Sequence, residues 1–235
     1  MRAKLPHTTG YVDRGGVKLH FEIFGEGDRT IVFVPTWAII HSRCWKAQVS
    51  YFSDFCRVIT YDPRGNGKSG RPATPDGYTL DKIVDDVFAI LDETETEKAI
   101  LVGLSLSGGV VFAAAERHPE RVQGIVSIGA WTPIVPRLPG RDGDPNLPAS
   151  ADPQGWDKYN YDYWHRDYAD FTDFFLGKVN SEPHSTKQHE DAVRWAGDGD
   201  AEMLHMTDLA EGPGPLLTEA CLLYTSDAAD DTSEV

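Results

Sequence analysis

Short apolar runs alternate with amphipathic stretches over the first 130 residues. Val17–Phe24 alternates apolar and polar positions, the period of a half-buried strand, and Gly25–Asp28 supplies a turn. Thr30–Val34 is a continuous β-branched and aromatic run, the pattern of a strand buried on both faces. Trp45–Phe55 reads as a helix, and Cys56–Tyr61 as a strand that ends in the breaker-rich turn Asp62–Gly67. Thr79 suits a helix N-cap and Asp81 the positive end of the helix dipole, with Ile83, Val84, Val87, Ile90 and Leu91 following at helical spacing. Ala99–Gly103 reads as a strand, Val110–Arg117 as a helix stopped by Pro119, and Val122–Ile128 as a further strand. Strands alternating with helices predict an α/β protein, with a mostly parallel sheet and helices on both faces.

The pattern changes after Ala130. Residues 131 to about 215 hold most of the tryptophans and many Pro, Gly and Asp residues, and no buried strand is apparent in the sequence. Trp156, Tyr159, Tyr161, Tyr163, Trp164, Tyr168, Phe171, Phe174 and Phe175 crowd one short region. Two readings fit: a helical cap inserted over the sheet, or an irregular extension packed by aromatics.

The chain has 235 residues, enough for one domain or a core with an insertion. Its composition, 40% apolar and 25% charged, is that of a globular protein with a sizeable core. The net charge of −15 argues against a nucleic-acid or anionic-membrane surface, since both need clustered Lys and Arg. Cys44, Cys56 and Cys221 are odd in number and lack C-x-x-C spacing, so neither a disulfide framework nor a zinc site is indicated. The N-terminus lacks the apolar run of a signal peptide, and no stretch approaches the roughly 20 apolar residues of a membrane span. A cytoplasmic location is expected.

Ala99–Gly109 carries the candidate chemistry. An apolar strand runs into Ser105, small residues flank it, and a helical pattern follows. This is the layout of a nucleophile elbow, a tight strand-to-helix turn that exposes the serine oxygen beside the first amides of the helix. The turn needs small residues two before and two after the nucleophile, and Gly103 and Ser107 fill those places. Ser107 departs from the G-x-S-x-G pattern. As a nucleophile it would lack a glycine two before it, so Ser105 is preferred. A βα turn with an incidental serine is the structural alternative. Gly65–Ser69 invites a phosphate-loop reading, but the position five before Gly67 is Asp62 rather than glycine, and the next helix starts too late.

Four marks in order make the chain resemble the α/β-hydrolase superfamily from residue 17 to about 215: Val32–Trp37, Tyr61–Ser69, Leu101–Gly109 and Ala113–Val122. The second matches an Asp-x-Arg-Gly-x-Gly-x-Ser turn and the third the elbow. The resemblance implies a core over 1–130 and a helical cap or lid over 131–215. It also implies that the backbone N–H groups of Trp37 and Leu106 form an oxyanion hole for a serine hydrolase, esterase-like, with Ser105 as nucleophile. Pro35-Thr36 stands where the family has His-Gly. His41 lies either near the pocket mouth or simply in the lead-in to the next helix. No metal or organic cofactor is implied. The aromatic cap suggests a small apolar or aromatic substrate, and the oligomeric state is not legible. The alternative is a non-catalytic protein of the same fold that binds a small ligand. A lyase-like or cofactor-free haloperoxidase member stays open; a dehalogenase would need Asp at position 105.

A serine hydroxyl needs a histidine base and an orienting carboxylate. In the family these follow later strands, yet no histidine follows His205. His165, His184, His189 and His205 fall in the expected cap and read as ordinary cap residues. Cys221–Asp230 resembles the translation of a sequencing-library transposase adapter. The natural sequence is therefore expected to stop near Ala220, with 221–235 a non-native tail, the C-terminal strands missing and a sheet edge left open. Efficient turnover is not expected of such a chain.

Overall fold

A computed structural model describes residues 4–131 and 143–210. Six strands form one sheet in the order β1-β2-β4-β3-β5-β6. They are β1 (Thr8–Asp13), β2 (Lys18–Phe24), β3 (Thr30–Phe33), β4 (Arg57–Tyr61), β5 (Ala99–Leu104) and β6 (Val122–Ile128). The pairs β4/β3, β3/β5 and β5/β6 are parallel, whereas β1 and β2 add antiparallel at one edge. In register, Val32 of β3 lies between Ile59 of β4 and Leu101 of β5.

The period of two sorts side chains between two layers. Leu19, Val32, Ile59 and Leu101 pack against Val84, Val87 and Leu91 of α2 (Leu80–Glu93) and Val110 and Ala114 of α3 (Leu106–Arg117). Ile31, Phe33, Val58 and Val102 face the other way, onto Val49 of α1 (Lys46–Phe52) and onto Trp45 just before it. The central strands thus carry apolar residues on both faces, as their unbroken runs require.

Several predicted boundaries move. Strand β1 carries too polar a pattern to be anticipated; it returns to β2 through Gly15 and Gly16, both at positive φ (67° and 89°). The first helix is preceded by a 3-10 turn, Ser42–Trp45, and ends at Phe52. There the N–H groups of Phe55 and Cys56 both fold back onto the Phe52 carbonyl, turning the chain into β4. Thr79 does occupy the N-cap of α2, but its side chain makes no capping bond. Helix α3 starts at Leu106 rather than Val110, because the elbow feeds it directly and Gly108-Gly109 mask its periodicity.

Residues 143–210 carry four helices: α4 (Tyr161–Arg166), α5 (Tyr168–Val179), α6 (Thr186–Ala196) and α7 (Ala201–Leu209). Trp164, Phe171, Leu176, Ala196 and Leu204 form their buried centre, and Ile39 from the loop after β3 enters it. Among the described residues no helix is long and apolar enough to cross a membrane. Strand β6 is the last of the described sheet, with Val126 and Ile128 46% and 43% exposed. The expected tail and later strands concern residues 211–235, outside the described residues.

The turn after β4 joins these layers. Arg64 and Asp86 of α2 are both buried and meet through two charge-assisted hydrogen bonds, one of 2.6 Å between Nη2 and Oδ1, while Arg64 Nη1 donates to the Gly77 carbonyl at 3.0 Å. Asp62 accepts from Ser42 Oγ (2.6 Å), Ser42 N (3.2 Å) and Lys68 N (2.9 Å), and His20 Nδ1 lies 3.5 Å away. Burial alone would raise the Asp62 carboxyl, but the contacts from His20, Lys68 and Ser42 outweigh it and hold the group at about 2.

Two expectations follow. Arg64→Ala leaves the buried Asp86 carboxylate with only Arg14 Nε, at 3.4 Å, and is expected to cost about 3 kcal/mol in urea unfolding; a loss below about 1 kcal/mol would refute a buried, paired role. A carboxyl held below its ordinary value of about 3.9 contributes stability above that pH and loses it as the pH falls toward 2. Unfolding free energies measured between about pH 5 and pH 2 should therefore show an acid limb of about 2 kcal/mol, which Asp62→Asn flattens.

Candidate active site

Ser105 occupies the apex between β5 and α3 at φ 56°, ψ −117°. Among the described residues only Ser105 and Glu95 hold positive φ without being glycine. The pair of angles is that of the first central residue of a type II′ turn, a place that favours glycine. A serine there costs about 1–3 kcal/mol and persists only where its surroundings enforce it.

The enforcing contacts are visible. Ser105 N donates to the Ile128 carbonyl (2.9 Å), and the Ser105 carbonyl accepts from Gly108 N (3.0 Å) and Trp131 N (2.9 Å). Ser107 is fully buried; its hydroxyl accepts from Leu104 N (2.9 Å) and lies 3.1 Å from both the Val34 and Leu104 carbonyls, either of which can take its proton. A Cβ at Gly103 would stand 2.1 Å from the Ser107 carbonyl oxygen, and one at Gly108 2.8 Å from Ala130 Cα. Small residues are thus required on both sides of the turn. The serine that replaces the second glycine is a brace, while Ser105 is exposed.

Leu106 follows Ser105 directly in the chain, and Trp37 follows β3, the strand that pairs with β5. Leu106 opens α3, where an N–H has no intrahelical acceptor. Trp37 lies in the loop after β3, whose end is tied to β5 by Val34 N donating to the Val102 carbonyl at 2.9 Å. Neither amide has a hydrogen-bond partner among the described residues. The Trp37 side chain points away into the helical segment: Nε1 donates to Thr207 Oγ1 at 2.8 Å, and the ring lies 5.4–6.1 Å from those of Tyr159, Trp164 and Phe175. Asn66 Nδ2 donates to the Ala38 carbonyl at 2.6 Å and fixes the far side of this loop. Neither Thr207 nor Asn66 was legible as a support. For Asn66 the motif itself was a signal, since a buried amide in a glycine-rich turn must find an acceptor.

No histidine or carboxylate contacts the Ser105 hydroxyl among the described residues. His165 and His205 face each other at 3.3 Å, and His189 pairs with Asp173 at 2.9 Å. His41 caps the 3-10 turn, as a lead-in residue would, and also lines a separate cavity with Asp62 and Asp198. Burial lowers its pKa despite those two carboxylates. Among the described residues no group of three or more His, Cys, Asp or Glu is placed to hold a metal ion.

The elbow's strain gives a prediction of unusual sign. Ser105→Gly should stabilise the fold by about 1 kcal/mol, because relief at positive φ exceeds glycine's entropy cost. Gly103→Ala should cost on the order of 3 kcal/mol, since backbone must move to admit the methyl group. Denaturant unfolding of the two variants checks both; a destabilised Ser105→Gly would contradict the strained turn.

A family model for the alpha/beta hydrolase fold matches residues 29–194. A relative named 3-oxoadipate enol-lactonase 2, from Acinetobacter baylyi, is 33% identical over 110 residues, which cover 47% of this chain and 40% of the relative. A putative carbamate hydrolase, RutD, from Variovorax paradoxus is 36% identical over 116 residues, covering 48% of this chain and 43% of the relative. The chain thus matches less than half the length of these two relatives. A putative aryl esterase from Burkholderia cenocepacia shares the fold, with a TM-score of 0.68 and 22% identity over 86% of this chain and 72% of that one. The chain belongs to the alpha/beta hydrolase fold family.

Proposed function

We propose that Ser105 is the nucleophile of a cytoplasmic serine hydrolase that cleaves an ester or similar acyl bond in a small molecule. The observation that carries this reading is an exposed serine at a strained apex, followed directly by Leu106, whose amide, like that of Trp37, has no hydrogen-bond partner among the described residues. Ser105 Oγ attacks the acyl carbon, and its proton passes to a histidine base. The carbonyl oxygen becomes an oxyanion and accepts from the two amides; one such donor is typically worth about 10²–10³ in rate. The intermediate collapses, the base returns the proton to the leaving group, and water then releases the acyl group from Ser105. The names of the relatives, a lactonase and a carbamate hydrolase, fit attack at an acyl carbon.

On this reading residues 131–215 form a cap, and the aromatic surface around Trp37 favours an apolar or aromatic acyl substrate. Aromatic rings also simply pack, so the substrate preference rests on the position of this cluster beside the proposed oxyanion amides. The base and its orienting acid would follow residue 220 in the source gene. Without a base, only the residual catalysis of binding and oxyanion stabilisation remains. One observation favours a second reading, a small-ligand binder without catalysis: Ser105 has no histidine at its side among the described residues.

A fluorophosphonate probe, applied to this chain and to the product of the source locus read through codon 220, separates the two. The locus product should label at Ser105, and Ser105→Ala should abolish labelling. This chain should label at least about 10³-fold more slowly. A folded locus product that does not label, or one that labels equally after Ser105→Ala, would favour the binder.

A further inference from the structure

Two histidines that the sequence presents as ordinary helix residues meet across the helical segment. His165 lies near the end of α4 and His205 in the middle of α7, with His165 Nε2 3.3 Å from His205 Nδ1. The ring centroids are 5.5 Å apart and the planes are inclined at 68°. At that distance one nitrogen must donate and the other accept. Tyr161 of α4 stacks on the His205 ring, with centroids 4.2 Å apart. Its hydroxyl donates to Asp208 Oδ2 at 3.2 Å, as the Tyr159 hydroxyl does at 2.8 Å.

Protonation acts on this pair in two steps. With both rings neutral, or with one proton added to either, an N–H on one side still faces a lone pair on the other. With both rings charged, two N–H groups and two positive charges stand 3.3 Å apart and the bond is lost. The surrounding groups set when this happens. Burial and the facing His165 ring hold His205 below the ordinary histidine value of 6.5; Glu202 and Asp208 on α7 oppose them and do not prevail. Glu202 Oε2 also lies 3.9 Å from His165 Nε2. Asp162 and Arg166 of α4 pair with each other at 3.5 Å, and Asp170 of α5 is taken by Lys158 and the Tyr163 hydroxyl. The 3-10 turn Pro75–Tyr78, which packs on α7 where Tyr78 meets Met203, carries Asp76.

The place of the pair gives it reach. Thr207, two residues after His205, accepts the Trp37 indole N–H at 2.8 Å. Leu204, beside His205, is fully buried in the cluster that contains Trp164. A shift of α7 at its centre therefore moves the acceptor that seats Trp37.

We propose that His165 and His205 form an acid-sensitive latch between α4 and α7, closed while either ring is neutral and open when both are charged, with Thr207 carrying the opening to the Trp37 indole. A histidine held below its ordinary value contributes stability above pH 6.5 and loses it as the pH falls through the lowered value. Mild acid thus loosens the helical segment. The latch does not depend on the hydrolase reading, since Ser105 takes no part in it and neither readout below is activity.

Nuclear magnetic resonance of the whole chain between about pH 7.5 and about pH 5 follows the His205 ring and the Trp37 indole N–H, the latter assigned with Trp37→Phe. His205 should titrate below 6.5, and the indole signal should move with the same midpoint. His165→Gln keeps an uncharged N–H donor for His205 Nδ1 and can turn its amide oxygen to a charged ring. It should raise the His205 midpoint and reduce the movement of the indole signal. His205→Asn offers an oxygen in place of Nδ1 and does not titrate, so it should leave the indole signal flat over this range. In thermal melts the parent should lose about 2 °C more than His205→Asn between the two pH values. Burial lowers His41 as well, so the difference between parent and variant is the quantity read. If His205→Asn does not fold, His165→Gln decides alone. A His205 midpoint at or above 6.5, an indole signal that does not follow His205, or folded variants that behave as the parent does would each overturn the latch.

Discussion

The hydrolase chemistry proposed for this chain depends on one backbone constraint, a serine held at φ 56° between a strand and a helix. The conformation is unfavourable for any side chain, so neighbours must supply more than it costs. They do so from three directions. Strand β6 offers the Ile128 carbonyl, the segment after it returns the Trp131 amide, and the buried Ser107 hydroxyl ties the elbow to the end of β3. The elbow is therefore a junction of β3, β5 and β6, three neighbouring parallel strands, and its precision is inherited from their packing. A loop of the same sequence without that sheet would relax away from positive φ and withdraw the Leu106 amide.

The two departures from the family pattern find physical explanations in this arrangement. At Pro35-Thr36, no residue of the loop after β3 adopts positive φ, so glycine's freedom is not needed there. The loop is instead positioned by side chains: Asn66 holds the Ala38 carbonyl, and Thr207 holds the Trp37 indole. At Ser107 the residue is already helical, and its hydroxyl satisfies the Leu104 amide, which the sharp turn would otherwise leave without a partner. Glycine would fit at 107 but could not brace.

Much of the fold was legible because it rests on local periodicity. The apolar runs of β3, β4 and β5 and the helical stripe of α2 are set by which residues must leave water, and their ends moved by a few residues at most. Strand β1 was not legible, since an edge strand with an exposed face needs little apolar pattern. The elbow was legible because its steric demand writes small residues at fixed offsets. The supports of the site were not. Ser42, His20 and Asp62 come from three separate segments, and only the folded sheet brings a buried carboxylate to its donors. Likewise, Thr207 is 170 positions from Trp37, and no spacing rule links them.

Trp37 shows how such distant supports bear on chemistry. Its amide belongs to the loop that follows core strand β3, while its indole belongs to the helical segment through Thr207, Tyr159, Trp164 and Phe175. One residue cannot satisfy both unless core and helices keep a fixed relation. Other contacts enforce that relation at the opposite end: Arg71 reaches Asp200 and the Asp198 carbonyl, and Lys46 reaches Asp191. Each of these ion pairs is exposed at one or both ends and contributes little by itself. The buried aromatic cluster and the Trp37–Thr207 bond therefore carry most of the docking energy. If the amide of Trp37 stabilises an oxyanion, the packing that seats its indole sets the geometry of that donor. Helices α4 to α7 would then belong to the catalytic apparatus by position, even though none of their side chains contacts Ser105 among the described residues.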